Sequence, residues 1–215
     1  PTATLAWLME AGNEDLLRHN PRLDRIYSWP RRRWRALRKQ GDYRTWWREF
    51  LQLQRDLRHQ QFDWILDLQG LMKSGAWARL TGGRRRIGLG SKEGSQWLMT
   101  ETVARDLDSP LIAKEYRRLM VELGAAPERF AMDIVISPAS ARQGRKLLTE
   151  AGVSTPYAIF CPFTTRPQKH WLDERWSLLA QRLREATGIV PILLGGPADR
   201  AHGEAIAAAS RGSAL

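Results

Sequence analysis

A chain of 215 residues, 43% hydrophobic and with ten Trp, can bury one large core or two small ones, and its composition argues against disorder. Its 34 Lys and Arg exceed 23 Asp and Glu to leave a formal net charge of +11, which implies an acidic partner: nucleic acid, an anionic membrane surface or a phosphorylated substrate. The single cysteine, Cys161, excludes an internal disulfide and fits a reducing compartment, and no apolar run approaches the roughly 20 residues that span a bilayer.

In chain order, Thr4 to Met9 reads as a buried strand, Asn13 to His19 as a short helix closed near Pro21, and Leu23 to Tyr27 as a second strand. Strand, helix and strand at this spacing predict an α/β arrangement with parallel pairing. Pro30 opens a basic block of Arg31, Arg32, Arg33, Arg35, Arg38 and Lys39 around Trp34. It reads either as a phosphate-binding surface or as a solvated helix face. Tyr43 to His59 carries Trp46, Trp47, Phe50, Leu51, Leu53 and Leu57 at helical spacing and predicts a long amphipathic helix.

A more informative unit follows, from Phe62 to Ser74. Trp64 to Leu66 reads as a strand, and Asp67 to Gly70 lies at its carboxyl end, before a helix over Leu71 to Leu80. Ligands of open α/β sheets sit at the carboxyl ends of strands, so Asp67, Gln69, Lys73 and Ser74 stand where a polar ligand can meet them. The plainer reading makes Asp67 a helix cap and Lys73 a solvated side chain. Gly82-Gly83 is a turn, and Arg86 to Leu89 a short strand. Ser109-Pro110 opens a helix running to Gly124, Asp133 to Ile136 is extended, and Ser137-Pro138 is a hinge. Ala139 to Ala151 then reads as a helix stopped by Gly152.

The chemistry concentrates between Tyr157 and Arg175. Tyr157 to Cys161 is a strand stopped by Pro162. A loop follows with two hydroxyls, Thr164 and Thr165, and with Arg166, Lys169 and His170. Asp173 can then cap a helix whose apolar positions are Trp176, Leu178, Leu179 and Leu183. Strand, polar loop and helix N-terminus make an anion site, because free N–H groups and the helix dipole favour negative charge there. An ordinary strand-to-helix turn with solvated charges has the same outline. Beyond it lie a strand from Ile189 to Leu194, the turn Gly195-Gly196-Pro197, and a helix from Ala198 to Ala209. Gly195 and Gly196 let a backbone approach a nucleotide, although two glycines are a weak signal. There is no zinc-type Cys/His spacing, no P-loop, no G-x-G-x-x-G and no G-x-S-x-G. His170 has no readable nucleophile beside it and reads as a hydrogen-bonding loop residue.

Two motifs carry a family resemblance. Phe62-Asp63-Trp64-Ile65-Leu66-Asp67-Leu68-Gln69-Gly70-Leu71-Met72-Lys73-Ser74 resembles the YD-x-x-ID-x-QGL-x-KS segment of glycosyltransferase family 9, the ADP-heptose:lipopolysaccharide heptosyltransferases. Thr164-Thr165-Arg166-x-x-Lys169-His170-Trp171 resembles that family's TTR-x-x-KHW segment, and the run Arg32 to Arg35 is similar to the heptosyltransferase I branch. The resemblance covers nearly the whole chain. It implies a GT-B architecture of two Rossmann-like domains, both incomplete here: an acceptor-binding one over 1–136 without its first strand, and a donor nucleotide-binding one over 137–215 without its last part. It implies an inverting transfer of heptose from ADP-L-glycero-D-manno-heptose to Kdo of the lipopolysaccharide inner core, with no metal or other cofactor required.

By the same resemblance, Thr164, Thr165 and Lys169 contact the donor diphosphate, with Lys169 stabilising the leaving group and Gly195 and Gly196 beside the nucleotide. Gln69, Lys73 and Arg118 face the acceptor, joined by Arg32, Arg33 and Arg35. The general-base Asp belongs to a Gly-Asp loop expected before Pro1, and a D-x-G-x-x-H segment is expected after Leu215. Leu172 stands where many members have proline, and Phe163 where the heptosyltransferase I branch often has alanine. The expected partners are Kdo-lipid A and the anionic inner-membrane surface of a Gram-negative bacterium, bound peripherally from the cytoplasm. Two alternatives are a family 9 transferase with another acceptor, such as the heptosyltransferase II branch, and a basic nucleic-acid-binding α/β module. The module explains the charge and the Arg/Trp block but neither motif, and its aromatics fall at core spacing rather than on an open platform.

Overall fold

The computed structural model describes residues 3–105, 111–125, 134–154 and 156–215, and over them the chain is an α/β protein whose strands pair in parallel. It divides into two compact units, Pro1–Val135 and Ile136–Leu215.

The first unit opens with β1 (Ala6–Glu10) and β2 (Arg25–Trp29), in register from Ala6 opposite Arg25 to Glu10 opposite Trp29. The helix expected between them is a single 3₁₀ turn, Glu14–Leu16. Glu14 is diverted there: its carboxylate accepts from the Gly12 N–H at 2.7 Å and from the Ser28 hydroxyl of β2. Two helices follow, α1 (Arg31–Lys39) and α2 (Tyr43–His59). Asp42 caps α2 by accepting from the Thr45 N–H at 3.0 Å, an interaction worth about 1 kcal/mol.

The helical spacing of α2 puts Trp46, Phe50, Leu53 and Leu57 on one stripe, which packs on Trp34 and Leu37 of α1 and on Trp77 of α3 (Met72–Thr81). Phe50 and Trp77 approach to 5.4 Å between ring centroids, and Trp34 and Phe50 to 5.9 Å. Such pairs add about 0.5–1.5 kcal/mol beyond simple burial. Trp34 keeps its buried indole N–H satisfied on Glu49 Oε2 at 3.0 Å.

A second sheet in this unit has the order β3 (Trp64–Asp67), β4 (Arg85–Leu89), β5 (Glu101–Val103). The three-residue β5 is too short to leave a pattern in the sequence. It is held at its edge by Arg85 of β4, whose guanidinium forks onto Glu101 at 2.7 and 2.8 Å and lies 4.2 Å above the Trp64 ring. Leu119 of α4 (Ile112–Glu122) closes the core over Ile87, Leu89 and Val103. Ser109, Pro110 and Asp133, where the helix start and an extended residue are expected, lie outside the described residues.

The second unit begins with α5 (Pro138–Glu150), capped by the Ser137 hydroxyl, which accepts from the Ser140 N–H at 3.0 Å. Then β6 (Tyr157–Phe160) pairs with β7 (Val190–Leu193), the crossover being α6 (Asp173–Thr187). Gly188 ends α6 in a left-handed conformation, φ +71°. After a 3₁₀ turn over Pro197–Asp199, α7 (Arg200–Ala209) returns along α6. Phe160, Ala180 and Ala214 form this unit's core with Trp176, Leu183 and Leu193. The main chain of Leu215 bonds to Pro191 and Leu193 beside β7.

Candidate functional site

The loop between β6 and α6 folds on itself. The His170 ring donates from Nε2 to the Thr164 carbonyl at 2.9 Å, and the Lys169 N–H bonds to the Arg166 carbonyl at 2.9 Å inside the short turn Pro167–Lys169. Thr165 and Lys169 are left exposed at the tip of this closed loop. Among the described residues the Lys169 ammonium makes no hydrogen bond or ion pair. The loop backs onto α6, whose N-terminus starts after Leu172 with no side-chain cap. The cap expected from Asp173 does not form. Asp173 is the first helical residue, and its carboxylate takes the Nε2 of His202 on α7 at 2.7 Å instead of folding onto the helix's own N–H groups.

Gly195 and Gly196 are brought to the same loop by Phe163. A Cβ at Gly195 would stand 2.6 Å from the Phe163 ring, and one at Gly203 would meet the same ring at 3.4 Å. Neither Gly195 nor Gly196 has a positive φ. Glycine at 195 therefore makes room for a ring, and the 195–199 turn is held by Asp199, which accepts from the Gly196 N–H at 2.8 Å. His202 was not legible as part of this loop, because its partner Asp173 lies 29 residues away and no local pattern points to it.

In the first unit, the carboxyl end of β3 is shaped by Asp67. The side chain is 5% exposed and accepts from the N–H groups of Gln69 and Gly70, both at 3.1 Å, and from the Ser74 hydroxyl at 3.0 Å. Asp67 and Ser74 are thus spent on the loop rather than open to a ligand, while Gln69 and Lys73 are exposed beside them. Gly70 is required here: its φ is +64°, and a Cβ would come within 2.5 Å of the Leu89 carbonyl. That carbonyl end is tied down again by Ser95, whose hydroxyl donates to the Gly70 carbonyl at 3.0 Å.

The basic candidates separate by what they touch. Arg33 chelates Glu49, from Nη2 at 2.7 Å and from Nε at 3.0 and 3.1 Å. This holds the Glu49 carboxyl below the usual carboxylate range, chiefly through the Arg33 hydrogen bond and then with help from the Trp34 N–H against the effect of burial. Arg31 reaches Glu10 at 3.4 Å, and Arg38 lies 5.7 Å above the Trp46 ring. Arg32 and Arg35 are exposed and, among the described residues, have no such partner. Arg118 pairs with Glu122 one turn on along α4, at 3.0 Å. No group of three or more His, Cys, Asp and Glu among the described residues is placed to hold a metal ion.

A family model described as glycosyltransferase family 9 (heptosyltransferase) matches residues 50–214. The chain is 30% identical over 228 residues to lipopolysaccharide heptosyltransferase 1 of Pseudomonas aeruginosa, a match covering 100% of the chain and 59% of that protein. It is 27% identical over 201 residues to lipopolysaccharide heptosyltransferase 1 of Salmonella typhimurium, covering 88% of the chain and 56% of the relative. The chain thus spans somewhat more than half the length of these curated relatives. Among solved structures, a glycosyl transferase family 9 protein of Veillonella parvula superposes with a TM-score of 0.74 at 16% identity, over 95% of this chain and 57% of the other. Escherichia coli heptosyltransferase WaaC with ADP-2-deoxy-2-fluoro heptose superposes at 0.70 with 22% identity, over 100% and 66%. At such identities the structural likeness speaks for the fold.

Proposed function

The chain belongs to glycosyltransferase family 9, and from that premise we propose that it is part of an inverting transferase carrying heptose from ADP-L-glycero-D-manno-heptose to Kdo of the lipopolysaccharide inner core. The observation that carries the reading is the β6–α6 loop, which presents Thr165 and an unpaired Lys169 beside an uncapped helix N-terminus. That combination suits a diphosphate. Structures of WaaC with ADP and with ADP-2-deoxy-2-fluoro heptose show that a relative takes this class of ligand.

In the proposed reaction an acceptor hydroxyl gives up its proton to a carboxylate general base and forms a new bond to the anomeric carbon, as the bond from that carbon to the ADP phosphate oxygen breaks. The leaving diphosphate gathers charge, which Lys169, Thr164, Thr165 and the α6 terminus stabilise. In a GT-B frame, residues 137–215 hold the donor and residues 1–136 the acceptor, with Gln69 and Lys73 at the carboxyl end of β3 turned to its polar head. The free arginines Arg32 and Arg35 then meet anionic groups of the cytoplasmic leaflet, to which the enzyme binds peripherally.

Titration calorimetry with ADP across a salt series tests the donor reading, with a single-stranded oligonucleotide as comparison. ADP binding that survives salt while oligonucleotide binding fades is the expected result. Salt-sensitive oligonucleotide binding without any ADP binding would remove the donor-binding role from residues 137–215.

A further inference from the structure

Two ring contacts and one hydrogen bond to a carboxylate in the second unit meet on a single residue that neither the motifs nor the family resemblance singles out. His202 lies on α7, where its Nε2 bonds to Asp173 Oδ2 at 2.7 Å. Its ring stacks on that of His170, with centroids 6.2 Å apart and planes 7° from parallel. Its third contact is Phe163, at 5.3 Å and 60°. His170 in turn donates to the Thr164 carbonyl, and Phe163 fills the space over Gly195 and Gly203. The polar loop is therefore backed at its first residue, at its last residue and at the start of α6 by one imidazole.

The pairing with Asp173 has an electrostatic side. A carboxylate at the first residue of a helix would cap its N–H groups and repel a phosphate brought to them. His202 engages that carboxylate on the side of α7, leaving the terminus without a side-chain cap.

We propose that His202 is a positioning residue for the phosphate loop: through Asp173 and His170 it keeps the α6 terminus open and holds Thr164 to Lys169 in one shape. It touches no substrate in this account, and the assignment rests on the donor reading above. Because the tether is a feature of the free protein, part of its test needs no nucleotide.

The experiment uses hydrogen exchange over residues 164–172 and calorimetry with ADP and AMP, on the chain and on His202→Ala and His202→Gln, with circular dichroism to confirm folding. His202→Ala should exchange faster in that segment and bind ADP about tenfold more weakly, the scale of one charge-assisted hydrogen bond, with little change for AMP. His202→Gln, whose side-chain amide can again donate to Asp173, should recover most of both. Unchanged exchange in His202→Ala overturns the tether, whether or not ADP binds. Faster exchange with Gln rescue in a chain that binds no ADP upholds the tether and overturns the donor reading instead. Equal losses for ADP and AMP would overturn the diphosphate-positioning role.

Discussion

Asp67 ends a strand and Lys169 lies in the loop after one, and they do opposite things. Asp67 is buried and spends its oxygens on two backbone N–H groups and the Ser74 hydroxyl. Asp67→Asn turns an acceptor into a donor facing donors, so it should cost about 1–3 kcal/mol in urea unfolding and loosen the Gln69–Lys73 segment. An unchanged unfolding midpoint would mean that the loop holds its shape without the carboxylate. Lys169 is exposed and its ammonium has no partner among the described residues, so its removal should leave folding alone. In an active enzyme that contains this chain, Lys169→Ala should lower kcat by about 10²–10³, the scale of losing one preorganised oxyanion donor, and raise the donor KM by less. Lys169→Arg should rescue partly, because a planar fork does not reproduce a compact charge. A folded Lys169→Ala enzyme with wild-type turnover would remove the diphosphate role. The residue types alone do not separate these two cases. What separates them is that Asp67 precedes two N–H groups turned back on it by Gly70, and only the fold reveals that turn.

At the scale of elements, α1 is one helix with two kinds of arginine. Arg33 is a strut to Glu49 on α2, while Arg32 and Arg35 face outward. Because Glu49 is held below the ordinary carboxylate range in the fold, its contribution to stability is complete above the unfolded chain's carboxylate range. It is lost as pH falls through the depressed folded value. Urea midpoints measured down an acid series should therefore fall less steeply for Glu49→Gln than for the wild type, and parallel curves would reject the strut. Arg32→Gln with Arg35→Gln should weaken cosedimentation with anionic liposomes by about 1 kcal/mol per arginine at low salt, with no effect on unfolding. Liposome binding that persists unchanged would make α1 a solvated face. The clustering of arginines was plain in the sequence; the division of labour was not, because Glu49 lies 16 residues beyond Arg33 on another helix.

Over the whole chain, what was legible follows a physical rule. The order of strands and helices, the parallel pairing and the apolar stripe of α2 depend on local periodicity, and they were readable, to within a few residues at the ends. The connection after β1 is a 3₁₀ turn where a helix was expected, because the Glu14 carboxylate accepts from the Ser28 hydroxyl on the next strand. The Phe163–Gly195 fit and the Asp173–His202 pair were silent for the same reason, each being a relation between distant positions, and β5 was silent because three residues carry no pattern. The two strand-loop-helix motifs were visible because a strand, a loop and a helix start are consecutive in the chain.

One contact in the second unit has an optical consequence. Trp171 and Trp176 are the two Trp of Ile136–Leu215, and their rings meet edge to face, 5.1 Å apart and 85° from coplanar. Two identical chromophores this close share their excited states, so the pair should give a coupled circular dichroism band that neither indole gives alone. Trp171 sits directly after His170, on the loop, and Trp176 is seated in α6. A change in the loop's shape alters the angle between them and hence the sign or size of that band. The protein thus carries its own label-free reporter at the end of the β6–α6 loop. The other eight Trp set its background, which a Trp171→Phe spectrum would subtract.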